Sequence, residues 1–561
     1  MRKILAQIFK RKGAKPQSRR GNFKNFNQFS LKNFAPLRLC ALAFITFLFL
    51  SACRTTPADL RRYAPADSVI YLETNDLEKA LNAATENESF KRLTDGKKDF
   101  STLKGIQLAV AVTGFETSEK QITDSKAVLD FRPQFVAVAD THAWEFQAVS
   151  LVENQIDGFV RETYGRDAGL EKTEKLGGRF FTWTGPDGRK VHAFVEGSLI
   201  FFGNNEEGIE KALAAGRGEA ENLTVSAELE TVYEQAKDRL AFGFVSGRGI
   251  RQIAEFAGVS AAIETSEDAL PRNFIAKVLP EILSGSIKRA VWTMDKTESG
   301  VEDRFRFETA PEISSVLTET FVAAQRRAPD AARFVPADVH SATVYNFADP
   351  QIAWRSLLLS AGRQTDEQSA RFLTAFSDSF FAPFGIADGE DFLSAAGPEI
   401  LTARLDAEGE RQIAVASVKD AGKLKKSLFE DFKKQNENEN GAELWKMEDE
   451  ELAAAFTGNL VILGDAESVS QSLQAGQNGE NFARSRFYGP FTGSSAPVVT
   501  FGKDGDAAHK IAALLGKPKN KDLRTFSYFL TETRFEGGAF VRRTISDFGF
   551  IGTILEQFAE R

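Results

Sequence analysis

The sequence predicts an α+β protein of two tandem, related domains, each made of mainly antiparallel sheet with packed helices. Three observations carry this. Short β-prone runs are joined by tight turns, among them Asp187-Gly188, Glu298-Ser299-Gly300 and Glu536-Gly537-Gly538, and local hairpins build antiparallel sheet. Helical patterns alternate with these hairpins rather than forming regular strand–helix–strand crossovers. Finally, segments of the first half recur in the same order in the second, the signature of an internal duplication.

The N-terminal segment comes first in the chain. Met1 to Arg38 contains eleven Lys or Arg and no acidic residue, and Leu39 to Leu50 follows without a charge. Twelve helical residues span about 18 Å, too little for about 30 Å of bilayer hydrocarbon. A basic stretch followed by a short apolar one reads as a secretory leader. It closes on Leu50-Ser51-Ala52-Cys53, which resembles the lipobox of bacterial lipoproteins. The resemblance implies removal of residues 1–52 as a signal peptide and acylation of Cys53, with diacylglyceryl on sulfur and palmitate among the attached chains. The basic stretch is longer than most leaders need, so either translation starts further downstream or the leader is extended. Ser18-Arg19-Arg20 resembles a twin-arginine signal, but the following residues fit it imperfectly.

Removing the leader's eleven positive charges from a chain of net charge −8 leaves −19 on the mature part. Such a body has no general basic field for nucleic acid. Of the two cysteines, Cys40 leaves with the leader and Cys53 carries lipid, so no internal disulfide is available. Residues 53–62 read as a short membrane tether in which Arg54, Arg61 and Arg62 are expected to face headgroups.

The two domains are read as residues 63–327 and 328–561. Tyr63-Ala64-Pro65-Ala66-Asp67 opens the first, and Phe334-Val335-Pro336-Ala337-Asp338 lies near the start of the second. Each leads into a strand and then a helix. Ala193–Gly203 (AFVEGSLIFFG) matches Ala454–Gly464 (AAFTGNLVILG). Gly197 and Gly458 take the same turn position, and Asn205 and Asp465 follow as helix N-caps. Phe135–Asp140 pairs with Ile413–Asp420, Leu240–Val245 with Val498–Phe501, and the hairpin Ile287–Phe307 with Phe526–Ile545. Ser314–Arg327 has helical spacing that ends the first copy. Asn436–Gly441 reads as a polar loop between a helix and a strand.

The leader, the Pro-Ala-Asp entry and the recurring Gly–strand–Gly–helix unit together resemble a family of bacterial envelope proteins, domain of unknown function 3352. The resemblance covers most of residues 60–560. It implies an envelope location and a duplicated α+β body, and it brings no activity, cofactor or catalytic residue with it.

Residues that could carry chemistry are sparse. His142, His192, His340 and His509 are scattered without metal-ligand spacing, so neither a metal nor another cofactor is expected. Ser101-Thr102-Leu103-Lys104 has the Ser-x-x-Lys spacing of penicillin-binding proteins but lacks their companion elements. Glu448-Asp449-Glu450-Glu451 reads as a solvated hairpin tip. Phenylalanine stands out, with 49 residues against 7 tyrosines. Phe372, Phe376 and Phe380 recur every four residues, with Phe381 and Phe384 beside Pro383. This cluster is either a core helix packed on a sheet or the wall of a pocket for an apolar ligand.

These observations lead to a non-enzymatic, lipid-anchored protein of the bacterial cell envelope, a binding or scaffold module with no catalytic residue assigned. Its expected partner is the lipid bilayer, reached through acylated Cys53, with an envelope protein or apolar ligand as a further partner and no nucleic acid. Arg54 rather than Asp follows Cys53, which favours the outer membrane where the host has one. The alternatives are a carrier of lipid or another apolar ligand, and a carboxylate-based envelope hydrolase.

Overall fold

A computed structural model describes residues 57–559, apart from short breaks at 95–98, 124–125, 165–166, 187, 266–268, 325–330, 436–440, 448–451, 505–506 and 516–526. The leader, the Leu50-Ser51-Ala52-Cys53 segment and the Glu448–Glu451 tip lie outside the described residues. The fold is α+β. In the first half, β1 (Ile70–Thr74), β2 (Gln107–Thr123), β3 (Lys126–Asp140), β4 (Gly169–Lys175) and β5 (Gly178–Thr184) are followed by β6 (Lys190–Glu196), β7 (Leu199–Gly203), β8 (Ala241–Val245), β9 (Ile287–Lys296) and β10 (Val301–Thr309). They pair in the order β4–β5–β6–β7–β3–β2–β1–β8–β9–β10.

The second half contains β11 (Ser341–Asn346), β12 (Ala396–Arg404), β13 (Gln412–Val418), β14 (Phe432–Lys434) and β15 (Glu443–Met447), then β16 (Leu452–Thr457), β17 (Leu460–Asp465), β18 (Val498–Asp504), β19 (Ser527–Glu536) and β20 (Ala539–Ser546). Its order, β14–β15–β16–β17–β13–β12–β11–β18–β19–β20, repeats that of the first half strand for strand. Sequence reading expected two sets of sheets. Instead β10 pairs with β20, from Val301↔Ser546 to Glu308↔Ala539, and the halves share one 20-stranded sheet.

Every pairing is antiparallel, and an odd number of steps separates β1 from β11. Counted along the ladder, the two strands therefore have opposite polarity. Both faces of each half are covered. Ala109, Ala111, Phe180 and Phe201 point to one face, under Ile209, Leu213 and Leu229. Their neighbours Val110, Val112, Phe181 and Phe202 point to the other, against Leu77, Val149 and Ile156. The period of two is that of a strand. Burial on both faces explains why these strands read as continuous apolar runs.

The C-terminal helices of the halves pack across the join between them, Gly549–Ala559 together with Ala507–Leu515 of its own half. Pro311–Thr320, after β10, puts Ile313, Leu317 and Phe321 with Phe347, Ala353 and Phe540 of the second half. Gly549–Ala559, after β20, puts Ile551 and Leu555 with Ala80, Phe90 and Leu93 of the first. The helix expected over Ser314–Arg327 thus starts earlier and ends at Thr320, its C-cap Phe321 turning into this shared core. The Asn436–Gly441 segment joins strands β14 and β15 rather than a helix and a strand. No helix among the described residues is long and apolar enough to cross a membrane.

Candidate functional site

Two regions bear on function: the end of the sheet where the chain enters, and the phenylalanine cluster of the second half. The entry comes first. The body begins upstream of Tyr63, the residue taken as its start. Ala58 N–H donates to Gln107 Oε1 at 2.8 Å, and Gln107 Nε2 donates back to the Ala58 carbonyl at 2.9 Å. Leu60 is fully buried, and Leu60–Tyr63 forms a 3-10 turn capped by Asp59. Three residues lie between Cys53 and Pro57, so the two Cα atoms can be at most about 15 Å apart.

Arg61 was expected to face headgroups, and it does not. It is 5% exposed. Its guanidinium binds Asp59 through Nε at 2.9 Å and Nη2 at 2.7 Å, and Glu230 at 2.5 Å. The same group lies 3.6 Å from the centre of the Tyr233 ring. Burial opposes its charge, but the hydrogen bonds from Asp59 and Glu230 win and hold its pKa above the ordinary arginine value. Beneath it, Tyr233 Oη donates to Glu73 Oε1 at 3.0 Å, and Tyr71 Oη donates to Glu73 Oε2. Burial raises the Glu73 carboxyl above the usual range against the pull of both hydroxyls. The network pins the entry segment to β1 and to the helix Ala227–Ala236. Arg62 stays at the surface, where Nη2 donates to the Gly216 carbonyl at 3.2 Å. The spacing of basic residues alone could not separate these two neighbours; the signal was Asp59, two residues before Arg61.

The five phenylalanines come together as a surface ridge. Phe372 and Phe376 lie on the helix Glu367–Ser377, Phe380 on the 3-10 turn Asp378–Phe380, and Phe384 on a second turn Ala382–Phe384. Ring contacts run from Phe372 to Phe376 (6.3 Å), Phe380 (5.8 Å), Trp354 (6.2 Å) and Phe381 (5.4 Å). Phe381 and Phe384 pack on the core beside Phe392 and Leu393. Phe372 and Phe380 stay exposed, as do Ile352 and Leu359 of Pro350–Gly362, the helix packed on Glu367–Ser377. Glu367–Ser377 is thus not a core helix on a sheet: its rings support one another along the surface. A polar cleft of about 290 Å³, lined by Glu116, Gln134, Lys190, His192, Asn204, Asn205 and Glu206, lies in the first half and contains none of the five.

Other titratable groups are held in structural roles. Asp303 accepts from Trp292 Nε1 and Phe550 N–H, both at 2.7 Å, and burial pushes its carboxyl up to about 6. Asp547 accepts from Ser89 Oγ at 2.7 Å and Tyr528 N–H at 3.2 Å, and burial raises it too. His192 Nδ1 lies 3.1 Å from Thr182 Oγ1, and burial lowers its pKa. Ser101 lies in the short turn Ser101–Leu103, its N–H bonded to Asp99. Among the described residues, no three His, Cys, Asp or Glu side chains gather so as to hold a metal ion. Comparison with protein families, with characterised proteins and with solved structures finds no match for this chain.

Proposed function

We propose that this chain is a lipid-anchored protein of the bacterial cell envelope, held to a membrane by acylated Cys53 and acting as a non-catalytic binding or scaffold module. The observation that carries the proposal is the join between the Leu50-Ser51-Ala52-Cys53 segment and the body. Ala58, five residues after the cysteine, already bonds to Gln107, and Leu60 and Arg61 fasten the segment to the body. Anchor and body are thereby coupled with little slack. The proposal includes the resemblance to the domain-of-unknown-function 3352 family, and the origin of the two halves by duplication. The identical strand order supports the duplication. The buried carboxyls of Glu73, Asp303 and Asp547 accept hydrogen bonds from fixed internal donors, which supports a structural use of them over a hydrolytic one.

Replacing Cys53 with Ser and fractionating the cells tests the anchor. The expected result is loss of acylation and release from membranes; a Cys53→Ser protein that stays in the membrane fraction contradicts the proposal. One observation favours a second role for the ridge. Phe372, Phe380, Ile352 and Leu359 are all exposed, which suits an apolar ligand or an envelope protein bound there. Native mass spectrometry of the purified protein tests it: a copurifying apolar molecule lost on Phe372→Ser/Phe380→Ser supports it, and a bare mass in both contradicts a carrier.

A further inference from the structure

Resting on the anchoring proposal, we propose that Trp144 and Phe146 insert into the headgroup region of the bilayer that holds Cys53, and so fix which end of the sheet faces the lipid. Among the described residues they are the most exposed large hydrophobic side chains, at 76% and 69%. Their place in the fold carries the argument. Asp140, the last residue of β3, pairs with Gln107 at the start of β2. Gln107 is the residue whose side chain holds Ala58 through both backbone groups. Trp144 lies four residues beyond Asp140, within about 15 Å of it. The aromatic pair and the incoming chain therefore share one end of the sheet.

The turn that presents the pair is built to hold its shape. His142 sits in the left-handed region, at φ 52, which non-glycine residues rarely occupy. Asp140 Oδ1 accepts from His142 N–H at 2.9 Å and from Ser198 Oγ at 2.8 Å. The Ser198 carbonyl accepts from Thr141 N–H at 3.0 Å and from Thr141 Oγ1 at 2.8 Å. Trp144 then occupies the N-cap of the helix Glu145–Leu151 with no side-chain hydrogen bond. Helix starts favour Ser, Thr, Asp or Asn at that position, so local structure gives no reason for an indole there. A bilayer does: Trp concentrates at membrane–water interfaces, where an apolar ring with one polar edge is well solvated. A mature body of charge −19 gains nothing from anionic headgroups by bulk charge, which leaves apolar side chains to make the contact. Acyl chains supply the retention, and the aromatic pair sets the orientation.

The test uses the full acylated chain in phosphatidylcholine vesicles containing lipids brominated near the headgroup. Of the other four tryptophans, Trp183 and Trp292 are buried, and Trp354 and Trp445 are partly buried against a core cluster of the second half. We expect bromolipid to reduce emission by about a fifth, one tryptophan in five, and Trp144→Phe to abolish that drop. No drop in the wild type, or the same drop in Trp144→Phe, overturns the proposal. So does a Trp144→Ser/Phe146→Ser protein that changes from dimer to monomer in detergent, which makes the patch a contact between copies. Failure of the anchoring proposal shows separately, as a wild type without acyl mass that floats with vesicles no better than Cys53→Ser; a Trp144-dependent drop in that protein still supports insertion.

Discussion

At Gly476 a Cβ would lie 2.5 Å from the Phe334 ring, and at Gly216 it would run into the Tyr63 ring. The two aromatic residues that open the repeated Pro-Ala-Asp segments thus each dock on a helical glycine. Pro65 and Pro336 complete the match with bridges to Asn222 and Asn481. The repeated turn has the same kind of basis. Gly197 and Gly458 have φ of 60 and 58, where a side chain is strained. Their conformation was legible in the aligned sequence; their neighbours' need for space was not, because the ring that fills it lies far away in the chain. We expect Gly476→Leu to cost about 1–3 kcal/mol through overpacking, read as a lower urea midpoint. Gly208→Ala, where the nearest atom lies at 3.9 Å, is expected to be neutral or to gain up to about 1 kcal/mol of helix propensity. Asp303 gives a pH prediction. Its folded pKa of about 6 exceeds the unfolded value of about 3.9, so the folded state holds the proton more tightly. Its contribution to stability is therefore intact below about pH 4 and declines by about 3 kcal/mol as pH rises to about 6. Asp303→Asn should flatten that decline in urea midpoints measured from pH 4 to 7; an unchanged slope would assign it to other groups.

Among elements, the entry turn and the phenylalanine helix were the least legible. Leu60-Arg61-Arg62-Tyr63 reads as a basic linker because nothing within it shows that Tyr233 and Glu230, some 170 residues on, form its socket. Arg61→Ala removes the stacked guanidinium and its hydrogen bonds. Asp59 and Glu230 are 41% and 46% exposed and rehydrate easily, so the cost is expected at about 1–3 kcal/mol rather than that of a fully buried pair. Arg62→Ala is expected to cost under about 1 kcal/mol. Thermal unfolding of both variants measures the difference; equal effects would mean that the socket adds nothing. The four-residue spacing of Phe372, Phe376 and Phe380 correctly marked a helical face. Periodicity states that such a face exists, and tertiary packing decides whether anything covers it. Here the α-helix stops at Ser377 and the rings continue over 3-10 turns.

For the whole molecule, the α+β class followed from hairpins and turns, while the single sheet did not. Joining β10 to β20 needs no motif beyond an edge left unpaired in each half, which sequence alone does not display. Pro311–Thr320 and Gly549–Ala559 each bury apolar side chains against the other half, which makes each half incomplete without the other. A protease cut within 325–330 is therefore expected to leave both fragments in one particle on size exclusion, with a single cooperative thermal transition. Fragments that separate, or two well-resolved transitions, would mean independent domains instead. The proposed function draws mainly on residues 1–53, where the order of basic stretch, apolar run and cysteine resembles a lipoprotein leader. Mass spectrometry of the N-terminal peptide of the protein made in its own cells tests it most directly. The account predicts a peptide beginning at Cys53 with diacylglyceryl on its sulfur. A peptide from within residues 1–52 still joined to Cys53, with its thiol free, would contradict it.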